Sequence, residues 1–374
     1  MKRLISIFIL IILLVPSFAQ NKFTSADFVW TEASDLTLTG KVFQNTPQPY
    51  QRMDFDRFGG WTEKDIARLE MSAGVIVTFE TDSPEIRVKA EWIKSGSGNL
   101  SPQASRGFDL YIKKDGKWLW AGIRALDKGE DPQEGVLVAN MDEKMKECLL
   151  YFPTHSVEKS VKIGIVDGYK LKPGQEPFRH RICLHGSSFM HGAYTTRAGA
   201  TVPGFLSRLT GLMFCNLGVG GDCLMQPQFA KALKDADVEA FVFDSFSTGS
   251  DASIKKNFFK FIEIIQSGQK GKPLIFMSSI YRENRNFDTV ADKKDAAKDA
   301  MARKLMAEAL QKYDDVYFIE SNASNEWHET TVDGIHPGDA GYFLWALSVK
   351  DQILEILAKY GIGIVIDGFQ YIQG

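Results

Sequence analysis

The chain changes its grammar at Lys172-Pro173-Gly174-Gln175-Glu176-Pro177, and that change limits the possible folds more than any other feature. Two prolines and a glycine without apolar neighbours interrupt both helix and strand. Before this stretch the apolar residues alternate. Ile86, Val88, Ala90 and Trp92 are interleaved with Arg87, Lys89 and Glu91, the period of a strand with one buried face. Residues 74–79, 108–113 and 161–165, and the surroundings of Trp118, Trp120, Leu137 and Val138, are further β-rich runs between Ser, Pro and Gly turns. No part of this region sustains a helical period, so a β-sandwich is expected over residues 20–171.

After the linker, residues 172–180, the pattern is different. Apolar runs at 181–185, 214–217, 238–244, 273–277 and 316–320 are separated by helical stretches at 201–209, 294–313 and 340–360. Ile254, Phe258, Phe259, Ile262 and Ile265 fall on one helical face. Strands alternating with helices predict an α/β domain over residues 181–374, with a parallel sheet covered on both faces. Ligands of such sheets bind beyond the carboxyl ends of the strands.

With 374 residues there is room for two domains, and the 44% hydrophobic and 24% charged residues are those of a globular chain. A net charge of −3 without any Lys/Arg cluster excludes a nucleic-acid partner from the expectations. The first residues read as an address. Lys2 and Arg3 precede twelve mostly apolar residues, and Pro16-Ser17-Phe18-Ala19 resembles a cleavage site. A signal peptide over residues 1–19 is therefore expected, and with it an exported chain, periplasmic or secreted. Twelve apolar residues are too few to span a bilayer, and no later run is long enough. Four cysteines make no disulfide framework, and Cys183 and Cys215 sit in apolar runs as small hydrophobes. No spacing suggests zinc, and His185, His191, Asp222 and His336 follow no recognised ligand pattern, so no metal or organic cofactor is expected.

Three segments at the sheet's carboxyl edge carry the chemistry. His185-Gly186-Ser187-Ser188 follows the first strand of the α/β domain, where a hydroxyl at a strand-to-helix turn is exposed and backbone N–H groups face a developing negative charge. Asp333-Gly334-Ile335-His336-Pro337 lies between the last strand and the last helix. An Asp three residues before a His can accept the ring's Nδ1–H and leave Nε2 facing a nucleophile. Asn216-Leu217-Gly218-Val219-Gly220-Gly221-Asp222 follows the second strand, and its glycines let backbone approach a substrate. It lacks both the Lys-Ser/Thr of a P-loop and the spacing of a dinucleotide site. The residues alone thus point to a serine hydrolase.

In this order the segments resemble the SGNH (GDSL-like) hydrolases, over about residues 181–360. The resemblance implies a flavodoxin-like, three-layer α/β/α domain. It implies Ser188 as nucleophile, Asp333 and His336 completing a triad, and Ser188 and Gly221 as oxyanion donors. Gly107-Phe108-Asp109-Leu110-Tyr111 is similar to the GxDLY signature of a jelly-roll-like β-sandwich preceding one branch of the family. Tyr50-Gln51-Arg52 and Arg197-Ala198-Gly199 fit that branch as well. Exported two-domain members commonly act as carbohydrate acetylesterases, so the resemblance implies an acetylated carbohydrate as substrate. Arg197 and His191 are then expected to touch it. Two departures stand out. Ser187 replaces the family Asp, and Phe243-Asp244-Ser245-Phe246-Ser247-Thr248-Gly249 has no Asn where the family supplies a third oxyanion donor. Thr248 falls nearest that place and is expected to stand in for it. Two alternatives stay open: a short-chain lipase-like acylhydrolase, and a sugar-binding protein with a decayed catalytic site. Asp109 and Tyr111 are expected to hold the fold, Trp61, Trp118 and Trp120 to lie mostly in the sandwich core, and residues 292–303 to form a solvated helix face.

Overall fold

The computed structural model describes residues 23–371 apart from Ser97, Glu130, Asp131, Asp222, Asp367 and Gly368. The expected signal peptide lies outside the described residues, as does Asp222.

Two antiparallel sheets form the first domain. One orders its strands Phe28–Glu32, Val157–Val166, Ile86–Lys94 and Gln133–Val138. The other orders Leu171–Pro173, Ile76–Thr81, Lys146–Tyr151, Gly107–Lys114 and Lys117–Ala125, with Thr37–Thr39 also pairing to Ile76–Thr81. Their shared core contains Val77, Phe79, Val88, Phe108, Leu110, Leu150, Val161 and Ile163. The pleat turns the alternate residues Ile76, Tyr111, Leu149 and Tyr151 outward, and these are buried too, because that face packs on the second domain.

The second domain is a five-stranded parallel sheet in the order Leu212–Gly218, Arg179–Gly186, Ala240–Asp244, Leu274–Met277 and Val316–Ile319. Numbered along the chain this is 2-1-3-4-5, the flavodoxin-like order. Alternation divides its side chains between two helical layers. Ile182, Leu184, Val242, Ile275 and Met277 face helices Val202–Thr210 and Asp339–Ala358 through Leu206, Tyr342, Trp345 and Val349. Cys183, Phe241, Phe243 and Phe276 face helices Pro227–Leu233, Asp251–Gln266 and Thr289–Lys312 through Phe229, Phe258, Ile262 and Met306. The chain is thus a β-sandwich followed by a three-layer α/β/α domain. None of the helices among the described residues is long and apolar enough to cross a membrane.

Some elements depart from the sequence pattern. Helix Glu63–Leu69 interrupts the β-rich region, started by a capping box between Thr62 and Asp65. A single turn, Pro102–Ser105, is also helical. Lys172 and Pro173, within the linker, extend a strand whose residues pair with Glu80 and Phe79; a proline is tolerated there because the strand is an edge. Trp120 is 53% exposed rather than in the core, its indole N–H bonded to Asp109. On helix Asp251–Gln266, Phe261 is fully buried while Phe259 is only partly covered.

Two buried polar clusters join the domains. Arg52, fully buried, donates to the carbonyls of Met71 (2.7 Å) and Arg68 (2.6 Å) on its own side and to that of Gly218 (2.9 Å) across the seam. Asp109 accepts from Arg197 Nη1 (2.9 Å) and the Gly199 N–H (2.9 Å) of the second domain.

Candidate active site

Strands 1 and 3 are neighbours at the point where the strand order reverses, so the loops after strands 1, 2 and 3 open into one crevice. The first strand ends at Gly186, and Ser187 caps the four-residue helix Ser188–His191. The Ser187 hydroxyl accepts from the Phe189 N–H (3.2 Å) and donates to Asp244 (2.7 Å), at the end of the neighbouring strand. Asp244 also accepts from the Ser247 hydroxyl. Burial pushes its carboxyl up to about 6, against the pull of these hydrogen bonds. Ser187 therefore fills the place of the family Asp as a cap and a tether.

Ser188 Oγ lies 3.0 Å from His336 Nε2, and His336 Nδ1 lies 2.9 Å from Asp333 Oδ2. The other Asp333 oxygen accepts from the backbone N–H groups of His336 (2.7 Å) and Ile335 (3.0 Å). Partial burial pushes this carboxyl up, but the hydrogen bonds from His336 and Ile335 outweigh it and hold it below the usual range. An ionised carboxylate only accepts, so Nδ1 carries the proton and Nε2 offers its lone pair to the Ser188 hydroxyl. The Asp333–His336 loop is fixed by Glu283, whose carboxylate accepts from the N–H and hydroxyl groups of Thr330 and Thr331. Phe189 and Tyr194 flank the His336 ring, with centroids 5.3 and 5.1 Å away.

The glycine segment after the second strand lies against this turn. At Gly218 any Cβ would collide with the backbone N–H of His191, so the approach requires glycine. Gly221, which lines the crevice, has φ +75°, a backbone conformation that favours glycine. The Ser188 N–H, at the first position of its helix, and the Gly221 N–H have no hydrogen-bond partner among the described residues.

The remaining expected residues sit elsewhere. His191 is fully buried: its Nε2–H donates to the Thr154 carbonyl (2.7 Å), and its Nδ1 accepts from the Gly220 N–H (3.4 Å). It supports the glycine strap from behind and does not line the crevice with Ser188. Arg197 is held by Asp109 and Tyr111 at the domain seam and lines a different cleft, of about 760 Å³, that Ser188 does not reach. Thr248 donates its only hydroxyl proton to the Cys223 carbonyl (2.7 Å), so it ties that loop down instead of offering a third donor.

The cleft that contains Ser188 measures about 510 Å³ and is built mostly by the β-sandwich. Lys64, Arg68, Lys94, Asn99 and His155 line it opposite Ser188, His336, Gly220 and Gly221. Lys64 Nζ donates to the Gly221 carbonyl (2.6 Å). His155 stacks on His191, with centroids 4.5 Å apart. Burial, with Arg68 and Arg52 nearby, lowers His155 to about 3, so it is neutral at neutral pH. Sequence reasoning missed these sandwich residues because nothing local marks them. Arg52 alone carried a signal, through the Tyr50-Gln51-Arg52 motif.

Comparison with known proteins supplies the family. Residues 179–354 match the GDSL-like lipase/acylhydrolase family, and residues 28–171 match the GxDLY domain, described as the N-terminus of SGNH-hydrolase-type esterases. A Bacteroides ovatus protein classed as a GDSL-like lipase is 32% identical with TM-score 0.83, over 88% of this chain and 98% of its own. A salicylyl-acyltransferase from a tetracycline biosynthetic pathway shares the fold at 19% identity and TM-score 0.69, over 91% of this chain and 99% of its own. A family two carbohydrate esterase from Cellvibrio japonicus shares it at 11% identity and TM-score 0.57, over 88% and 98%. A search of curated proteins found no match.

Proposed function

The chain belongs to the GDSL-like lipase/acylhydrolase family, and from that premise we propose that it is an exported serine esterase removing O-acetyl groups from polysaccharides or oligosaccharides. The observation that carries the proposal is the Ser188 hydroxyl 3.0 Å from His336 Nε2, with Asp333 on the far side of the ring.

In the first half-reaction His336 Nε2 takes the Ser188 proton as Oγ attacks the acetyl carbonyl. The N–H groups of Ser188 and Gly221 receive the oxyanion, and Asp333 stabilises the imidazolium. His336 then returns the proton to the sugar oxygen, which leaves as an alcohol. In the second half-reaction water attacks the acetyl-Ser188 carbonyl, giving its proton to His336. Collapse of that intermediate releases acetate and restores the Ser188 hydroxyl. Two backbone donors serve the hole, since Thr248 is engaged elsewhere. Ser95, Asn99 and His155 line the same cleft as Ser188 and give it polar groups suited to a hydroxyl-rich alcohol. The fold shared with a carbohydrate esterase supports the same substrate class. Export rests on the leader pattern of residues 1–19.

The test is acetate release from a panel of acetylated polysaccharides, with Ser188→Ala as the control and acetyl and octanoyl aryl esters compared in parallel. Release that depends on Ser188 and a preference for acetyl support the reading. An octanoyl preference transfers the chain to the lipase-like acylhydrolases, and no turnover of any ester refutes the enzyme assignment.

A further inference from the structure

The wall of the catalytic cleft opposite Ser188 carries three cations. Lys64 and Arg68 come from helix Glu63–Leu69, and Lys94 ends strand Ile86–Lys94. None of the three forms an ion pair among the described residues, and no carboxylate among those residues lines the cleft. Arg197 at the domain seam, in contrast, is paired with Asp109. Two of these cations are also close to the reacting centre. A Cβ placed on Gly221 would lie 3.5 Å from Lys64 Nζ, and one placed on Gly220 would lie 3.8 Å from Arg68 Nε. Positive charge gathered in a partly enclosed cleft raises the local concentration of anions and selects against cations.

Resting on the esterase reading above, we propose that the preferred substrate is an acetyl ester carried by a carboxylate-bearing sugar, of the uronic-acid type. Its anionic group docks on Arg68 and Lys94 while the ester carbonyl meets Ser188 and Gly221. The charges come from the β-sandwich, so that domain selects the substrate of the domain that performs the chemistry. His155, neutral and set into the same wall, presents a hydrogen-bonding ring edge to the sugar without adding charge.

The test compares 4-acetoxybenzoate with 4-acetoxybenzamide, two aryl acetates of similar shape that differ by one negative charge. Their affinities for the full chain carrying Ser188→Ala are measured by calorimetry, which separates recognition from turnover. The benzoate binds about tenfold more tightly, the advantage shrinks in high salt, and Arg68→Gln with Lys94→Gln reduces it to about twofold or less. Lys94→Gln alone, at an exposed position, gives part of that loss if the double variant does not fold. Equal affinities, or an advantage untouched by salt and by these substitutions, overturn the proposal. Hydrolysis by the unmodified chain is followed separately. An anion preference without turnover removes the esterase reading and leaves the anion site, whereas turnover without the preference does the reverse.

Discussion

Arg52→Met tests whether the sandwich domain holds the catalytic strap in place. The Arg52 guanidinium is fully buried, and it donates to the carbonyls of Met71, Arg68 and Gly218 at 2.6–2.9 Å. Burial lowers its pKa only to about 9, so it remains a cation at neutral pH. Methionine keeps much of the stem volume and removes every donor. Each buried carbonyl left unsatisfied costs about 1–3 kcal/mol, and three of them about 3–9 kcal/mol. Relief from burying a cation that has no carboxylate partner among the described residues offsets part of this. The expected net loss is about 3–5 kcal/mol, a large share of a typical domain's stability.

Gly218 also begins the segment that presents Gly221, so the substitution reaches the chemistry. Loosening one oxyanion donor, as opposed to deleting it, is expected to lower kcat by about tenfold. Urea unfolding gives the stability and aryl acetate hydrolysis gives kcat, both on the full chain. Arg52→Lys should fall between the parent and the methionine variant, because one ammonium cannot span three divergent carbonyls. A loss below about 1 kcal/mol would refute the energetic reasoning. A large loss of stability with unchanged kcat in the folded fraction would refute the link to the strap.

Asp333→Asn should lower kcat by up to about four orders of magnitude while the chain stays folded, because an amide lets His336 adopt the wrong tautomer; steady-state kinetics with circular dichroism check it, and a change below tenfold counts against the triad. Glu158 is buried, neither carboxyl oxygen has a partner at full hydrogen-bond geometry among the described residues, and burial, opposed weakly by the Ser72 hydroxyl and its own backbone, pushes its pKa up to about 8. The folded chain thus binds a proton that the unfolded chain releases from the ordinary carboxylate range upward, so the parent loses stability as pH rises toward about 8. Glu158→Gln removes that slope: its Tm by calorimetry should exceed the parent's at about pH 8, with the gap closing toward about pH 5, and a pH-independent gap would contradict the account. Thr248→Val should cost about 1 kcal/mol through the lost bond to Cys223 and change kcat/KM by less than about threefold; a tenfold fall in kcat would make Thr248 an oxyanion donor after all.

The fold class was legible because it rests on periodicity, which hydrophobic residues report directly. Ile182 and Leu184 face one helical layer and Cys183 the other, the alternation visible in the apolar run at 181–185. Ser188, Asp333 and His336, which the fold brings together, could be named because each lies on a loop with a local signature; Asp333 and His336 are three residues apart, so their bond needs no knowledge of the rest of the chain. The polar residues around them have distant partners. His191 was expected in the crevice, but its ring is committed to Thr154, 37 residues away, and Arg197 to Asp109, 88 residues away. Sequence proximity to the nucleophile said nothing about either. Thr248 was placed by loop spacing, yet the direction of a rotatable hydroxyl depends on the nearest free carbonyl, here that of Cys223. Helix Glu63–Leu69, only seven residues long, carried too little periodicity to emerge from a β-rich region, although Thr62 and Asp65 form its capping box. That helix supplies two of the three cations of the cleft.

The most direct test of the account is covalent capture of the nucleophile. The full chain is treated with diethyl 4-nitrophenyl phosphate, whose phosphoryl group is retained by an activated serine, and digested for peptide mass mapping. The account predicts one phosphoryl group per chain, on Ser188, with esterase activity lost in proportion to labelling and no labelling of Ser188→Ala or His336→Ala. Label on another residue that tracks the loss of activity, or full activity with Ser188 labelled, would contradict it.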